Sequence, residues 1–222
     1  LPHTLPSPEE FSEHAGALGI GVDDEIVVYD GPGLFSAPRA WWLFRTMGSR
    51  DVRILDGGLD GWRRSRRPLT ARRTQPSPTT YLARFTPERV VFLHEMREIV
   101  AHGSMQIADA RSPGRFTAQE AEPRPGLRGG HMPGARNLPA SSLSQDGSLM
   151  TLGELRRSFL EAGFNVDAPV VASCGSGITA ATLILALESL GSSGHRLYDG
   201  SWTEWGGQAD TPVVSCRARP RV

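Results

Sequence analysis

One cysteine in this 222-residue chain stands where a nucleophile would: Cys174, in Ala172-Ser173-Cys174-Gly175-Ser176-Gly177-Ile178-Thr179-Ala180. The apolar run Ala168 to Ala172 predicts a buried strand before it. Ala181 to Leu187 predicts a buried helix after it, stopped by Gly191. A thiol at such a turn faces the N–H groups of the loop and of the helix start, which favour negative charge on sulfur. Glycines at 175 and 177 let the loop curl, so that the amides of Gly175, Ser176, Gly177, Ile178 and Thr179 converge on one point. The chemistry this suits is covalent: thiolate attack, then release of a sulfur-bound intermediate. The competing reading is a buried, inert cysteine ahead of an ordinary glycine turn.

Composition narrows the class. Acidic and basic residues are equal at 24 each, which argues against a general nucleic-acid binder. The hydrophobic share of 39% is enough for a real core in one large or two small globular domains. No apolar segment is long and uninterrupted enough to cross a membrane, and no signal peptide is expected at the start. Two cysteines, Cys174 and Cys216, make no disulfide framework, so a reducing cytoplasm is expected. Cys216, in a polar tail, reads as a bystander thiol or a redox partner. No metal or cofactor is expected. The first residue is Leu1 rather than Met, so the natural start is expected upstream.

The elements that must hold Cys174 occur twice. In the first half, Ser7-Pro8-Glu9-Glu10 predicts a capped helix with an apolar stripe through Phe11, Ala15 and Leu18. A strand over Glu25–Tyr29, a loop at Asp30-Gly31-Pro32-Gly33, a helix over Ala37–Met47 closed by Gly48 and a strand over Val52–Leu55 follow. In the second half, Thr151 and Glu154 form the same capping box, and a strand, the Cys174 loop, a helix and the strand Arg196-Leu197-Tyr198 follow. Ser7 to Asp30 and Thr151 to Cys174 are each 23 residues. Asp30 to Asp56 is 26 and Cys174 to Asp199 is 25; Asp56 to Trp62 and Asp199 to Trp205 are six each. Such self-similarity predicts two copies of one α/β unit, with Asp30 in the nucleophile's place in the first.

The copies are unequal. The second has an opening strand, Gln106-Ile107-Ala108-Asp109, and a turn, Gly130-His131-Met132-Pro133-Gly134-Ala135, well before Cys174. Counting back the same distance from Asp30 runs off the chain, so the first copy is expected to lack its opening strands and to present an unpaired strand edge. The expected division is a partial, non-catalytic domain over 1–62, a linker over 63–80 and a catalytic domain over 81–222. The arginine-rich linker reads as a solvated segment or as a patch for an anionic partner.

Together, CGSGIT around Cys174, DAR at Asp109, GHMPGARN at Gly130 and YDGSWTEW at Tyr198 resemble the tandem-domain rhodaneses, and within them the mercaptopyruvate-using sulfurtransferases. The resemblance implies two rhodanese-like domains, each a mostly parallel sheet flanked by helices. Cysteine phosphatases carry an arginine six residues after the nucleophile; here that position is Ala180. Single-domain rhodaneses often carry arginine at the position of Thr179. Thiosulfate-preferring tandem members place Arg and Lys where this chain has Gly175 and Ser176. An uncharged loop suits a less anionic donor, 3-mercaptopyruvate.

By the same resemblance, Arg115 and Arg124 match the arginines that bind the substrate's carboxylate and carbonyl, with surface arginine as the plainer reading. Ser176 matches the family's loop serine, whose histidine and aspartate partners are expected in the absent front segment. Arg111 belongs to the structural DAR element, and His131 to its turn rather than to base chemistry. Asp109 reads as a network residue; Asp199, Trp202 and Trp205 read as wall and packing. The implied activity is sulfur transfer through a Cys174 persulfide to cyanide or to a thiol acceptor such as thioredoxin. The alternatives are a thiosulfate sulfurtransferase and a non-enzymatic persulfide carrier.

Overall fold

The computed structural model describes residues 1–215; Cys216 lies outside them. Along the chain run α1 (Pro8–Ala17), β1 (Ile26–Val28), α2 (Ala37–Thr46), β2 (Val52–Ile54), α3 (Gly58–Arg64), β3 (Val90–Val91), α4 (Leu93–His102), β4 (Gln106–Asp109) and α5 (Pro113–Phe116). Then come β5 (Ala135–Asn137), β6 (Ser144–Gln145), β7 (Ser148–Leu149), α6 (Leu152–Glu161), β8 (Val170–Ser173), α7 (Ala180–Ser189), β9 (Arg196–Tyr198) and α8 (Ser201–Trp205).

Two compact units result. One holds residues 1–4, 88–143 and 150–215; the other holds 5–87 and 144–149. The spatial boundary thus differs from a cut at 63–80. Residues up to Pro87 stay with the front unit because Tyr81 is buried there, edge-on to Phe11 and Phe44, with its hydroxyl on Ser49 at 2.8 Å. The β6–β7 hairpin also joins that unit, turning at Asp146-Gly147 with both residues at positive φ. Gly147 could not be larger: a β-carbon on it would meet the Gly57 carbonyl oxygen at 2.8 Å.

In the front unit, β1 and β2 pair in parallel, and β1 has no second ladder partner among the described residues. Val27 and Tyr29 are more than half exposed on one face of it. The capping box of α1 is reciprocal: Ser7 accepts from the Glu10 N–H, and the Glu10 carboxylate accepts from the Ser7 N–H. Thr151 and Glu154 do the same for α6 in the other unit. The first copy's loop is filled by its own side chain. The Asp30 carboxylate accepts from the N–H groups of Phe35 (2.7 Å), Ser36 (3.0 Å) and Ala37 (2.9 Å) at the start of α2. Burial opposes its charge, but the Ser36 hydroxyl and these amides outweigh burial and hold its carboxyl below the ordinary value.

The larger unit is a five-stranded parallel sheet in the order β3-β9-β8-β4-β5. Its centre, β8, is buried at all four residues, as a strand covered on both faces must be. On one face Val171 joins Met96 and Ile99 of α4, Ile107, Tyr198, Trp202 and Trp205 in one core cluster. Alternation turns Val170 and Ala172 to the other face. There α7, apolar nearly all round, packs against β8 and β9. The carboxyl ends of β4, β8 and β9 carry Asp109, Cys174 and Asp199, which is where open parallel sheets bind ligands.

Candidate active site

Cys174 follows the last residue of β8 and is 2% exposed. The Gly177 N–H donates to its Sγ at 3.1 Å, placing a positive dipole end on the sulfur. Of the five loop amides expected to converge there, this is the one bonded to sulfur. Gly177 can turn its N–H inward because its φ is +82°, a left-handed value that suits glycine. Ile178 and Thr179 instead lead into α7, their carbonyls accepting from the N–H groups of Ala181 and Thr182 in its first turn.

The backbone on either side of the sulfur is held by the turn after β9. The Cys174 N–H donates to Ser201 Oγ at 3.1 Å, and that hydroxyl donates to the Tyr198 carbonyl at 2.9 Å. The N–H groups of Trp202 and Thr203 donate to the carbonyls of Cys174 and Gly175, both at 2.9 Å. Ser201 reaches this position with φ +50°, a left-handed value rare for a residue with a side chain. Strain of that kind costs about 1–3 kcal/mol and persists where the surroundings impose it.

Arg115 on α5 reaches this loop, and Arg124 in the segment after it reaches Thr203 on α8. Arg111 is fully buried and clasps Asp109 through Nε and Nη2 at 2.6–3.1 Å. Its Nη1 donates to Glu122 at 2.7 Å, and its guanidinium lies 4.2 Å over the Trp202 ring. Burial opposes charge on Arg111, and Asp109 and Glu122 overcome it, so its affinity for its proton rises. The buried Glu122 carboxylate also takes Arg115 Nη2 at 2.6 Å and Nε at 3.3 Å. Arg115 stays 22% exposed and reaches the loop. Arg124 Nη1 donates to Thr203 Oγ1 at 3.3 Å. No carboxylate lies within ion-pair distance of Arg124 among the described residues.

Ser176 is 8% exposed, and its Oγ lies 3.0 Å from Nδ1 of His3. The expectation that this serine lacks a histidine, because the front segment is absent, is therefore overturned. His3 belongs to the larger unit although it opens the chain, 173 residues from its partner. The available signal was Leu1-Pro2-His3-Thr4-Leu5-Pro6, where two prolines stiffen the strap that carries the ring. Glu122 was missed because nothing in its local pattern says that it joins two arginines.

His131 stays with its turn. Its Nδ1 donates to the Phe116 carbonyl at 2.9 Å, its ring stacks on Phe116 at 3.7 Å and its backbone bridges to Val214. Asp109 is spent on Arg111, and Trp202 and Trp205 are wholly buried.

The rhodanese-like domain matches residues 2–65 and 92–208. The 3-mercaptopyruvate sulfurtransferase of Escherichia coli is 46% identical, over 96% of this chain and 76% of its own length. The human 3-mercaptopyruvate sulfurtransferase is 41% identical, over 91% and 69%. The crystal structure of SseA from Escherichia coli superposes with a TM-score of 0.83 at 43% identity, covering 91% of this chain and 76% of that one. With both halves matched and these relatives covered over more than two thirds of their length, the chain belongs to the rhodanese family as a protein of two rhodanese-like regions.

Proposed function

We propose that this protein is a 3-mercaptopyruvate sulfurtransferase. The observation that carries this reading is the pairing of a sulfur nucleophile on an uncharged loop with Arg115 against that loop and Arg124 joined to it through Thr203. The loop residues carry no charge of their own, and the cationic groups for a carboxylate and a ketone come from the neighbouring Arg115 and Arg124. A dianionic donor would need cations at 175 and 176, which are Gly and Ser here.

The Cys174 thiolate attacks the sulfur of 3-mercaptopyruvate, and a sulfur–sulfur bond forms as the carbon–sulfur bond breaks. The electron pair goes to the methylene carbon, giving the enolate of pyruvate, which takes up one proton. The outer sulfur keeps the donor's thiol hydrogen, so the enzyme is left as Cys174 persulfide. The Gly177 N–H steadies negative charge on Sγ, Arg115 and Arg124 hold carboxylate and carbonyl, and Ser176 with His3 handles the proton at the leaving group. Cyanide, or a thiol acceptor such as thioredoxin, then removes the outer sulfur. A reducing cytoplasm, which keeps Cys174 free, is the compartment that fits. No helix among the described residues is long and apolar enough to cross a membrane.

The test is donor turnover with mercaptopyruvate and with thiosulfate, in wild type and Cys174→Ser. Faster use of mercaptopyruvate, an added sulfur on Cys174 by mass spectrometry, and loss of both in the variant are expected. Preference for thiosulfate, or persulfide on Cys216, overturns the reading.

A further inference from the structure

Arg115 and Arg124 are held by different means. Arg115 leans on a buried carboxylate through two nitrogens. Arg124 instead donates to a neutral hydroxyl, Thr203 Oγ1 at 3.3 Å. That hydroxyl has a second neighbour, the Gly175 carbonyl, at 2.6 Å. Donor and acceptor roles are fixed by chemistry. A carbonyl can only accept, so the one hydroxyl proton goes to Gly175. A guanidinium can only donate, so Arg124 binds the hydroxyl's free lone pairs. The resulting chain runs from Arg124 through Thr203 to the residue next to the nucleophile.

We infer that Thr203 is a positioning residue for sulfur transfer, its side chain pinning Arg124 to the Cys174 loop so that the substrate carboxylate and the attacking sulfur share one frame. The inference rests on the proposed role of Arg124 in holding mercaptopyruvate. The backbone of Thr203 already anchors Gly175 through its N–H at 2.9 Å, so removing the hydroxyl leaves α8 joined to the loop. What it releases is the arginine, which has no carboxylate to hold it in place. A neutral partner serves better than a carboxylate here: it orients the guanidinium without neutralising the charge meant for substrate.

The experiment is steady-state kinetics with mercaptopyruvate and cyanide for Thr203→Val, Thr203→Ser, Arg124→Ala and the double variant Arg124→Ala/Thr203→Val, each with a thermal melt. Valine keeps the shape and loses the hydroxyl; serine keeps the hydroxyl. Thr203→Val is expected to raise KM about threefold to tenfold with kcat within about twofold, the scale of one hydrogen bond. Thr203→Ser is expected to stay near wild type. In the Arg124→Ala background the valine is expected to add nothing, because it acts through the arginine. An equal valine effect in both backgrounds, or a valine variant with wild-type KM while Arg124→Ala raises it, overturns the inference alone. Unchanged KM in Arg124→Ala overturns both the inference and the substrate role of that arginine. If valine lowers the melt so far that kinetics fail, Thr203→Ala gives the same comparison.

Discussion

The guanidinium of Arg115 occupies the place that a side chain on residue 175 would need: a β-carbon on Gly175 would stand 2.8 Å from Arg115 Nη2. Glycine after the nucleophile is thus a vacancy reserved for an arginine. Gly175→Ala is expected to push Arg115 aside while leaving the fold intact, since the atom met is the end of a flexible side chain. KM for mercaptopyruvate should rise about tenfold, the scale of a lost charge-assisted hydrogen bond, with little change in melting temperature. Arg115→Ala should give a similar KM, and the double variant should be no worse than either. Full additivity would mean that residue 175 acts otherwise than through Arg115.

Ser176 and His3 form the other close pair, at 3.0 Å. If they deliver the proton that the enolate of pyruvate needs, their loss should matter for that leaving group and not for sulfite, which leaves thiosulfate without needing a proton on carbon. Ser176→Ala and His3→Gln are each expected to lower kcat with mercaptopyruvate by about a hundredfold, the lower range for general acid–base catalysis, and to spare thiosulfate turnover. Equal losses with both donors would instead place the pair in holding the loop.

The strand, loop and helix around Cys174 were legible because β8 and α7 are mostly apolar and the loop between them carries glycines. The two capping boxes were legible for the same local reason: four residues suffice to specify them. His3 was not, because its meaning lies in a partner 173 residues away. The β6–β7 hairpin, two residues a strand, is too short to show a period, and its membership of the front unit depends on contacts such as Gly57 N–H to the Gly147 carbonyl at 3.2 Å. Thr203 sat unremarked between two tryptophans because a lone hydroxyl on a short helix carries no pattern.

His195 is buried, and its Nδ1 accepts from the Val170 N–H at 3.3 Å, which requires the neutral ring. Burial pushes its proton affinity down. The unfolded chain therefore binds a proton that the folded one refuses. This stability is fully present above the unfolded value of about 6.5 and is lost as pH falls from there toward the lowered folded value. Urea midpoints of wild type and His195→Gln, measured from pH 7.5 to 5.5, should converge as pH falls. A constant gap would show that the ring takes up its proton alike in both states.

Asp30 is a built-in anion where the other copy carries its sulfur, and three N–H groups at the start of α2 depend on it. Asparagine in its place removes the charge and turns a donor toward those donors. Asp30→Asn should destabilise the front unit by about 1–3 kcal/mol at neutral pH, the cost of leaving buried donors unsatisfied. Because the folded carboxyl is held below its ordinary value, the contribution is complete above the unfolded value of about 3.9 and is lost as pH falls through the folded one. The melts of wild type and Asp30→Asn should therefore lie apart at pH 7 and draw together below about pH 4. Asp30→Ala, which leaves the amides to water, should show the same pH trend. A difference between wild type and Asp30→Asn that persists undiminished in acid would mean that shape, and not the carboxylate's charge, is what the α2 amides require.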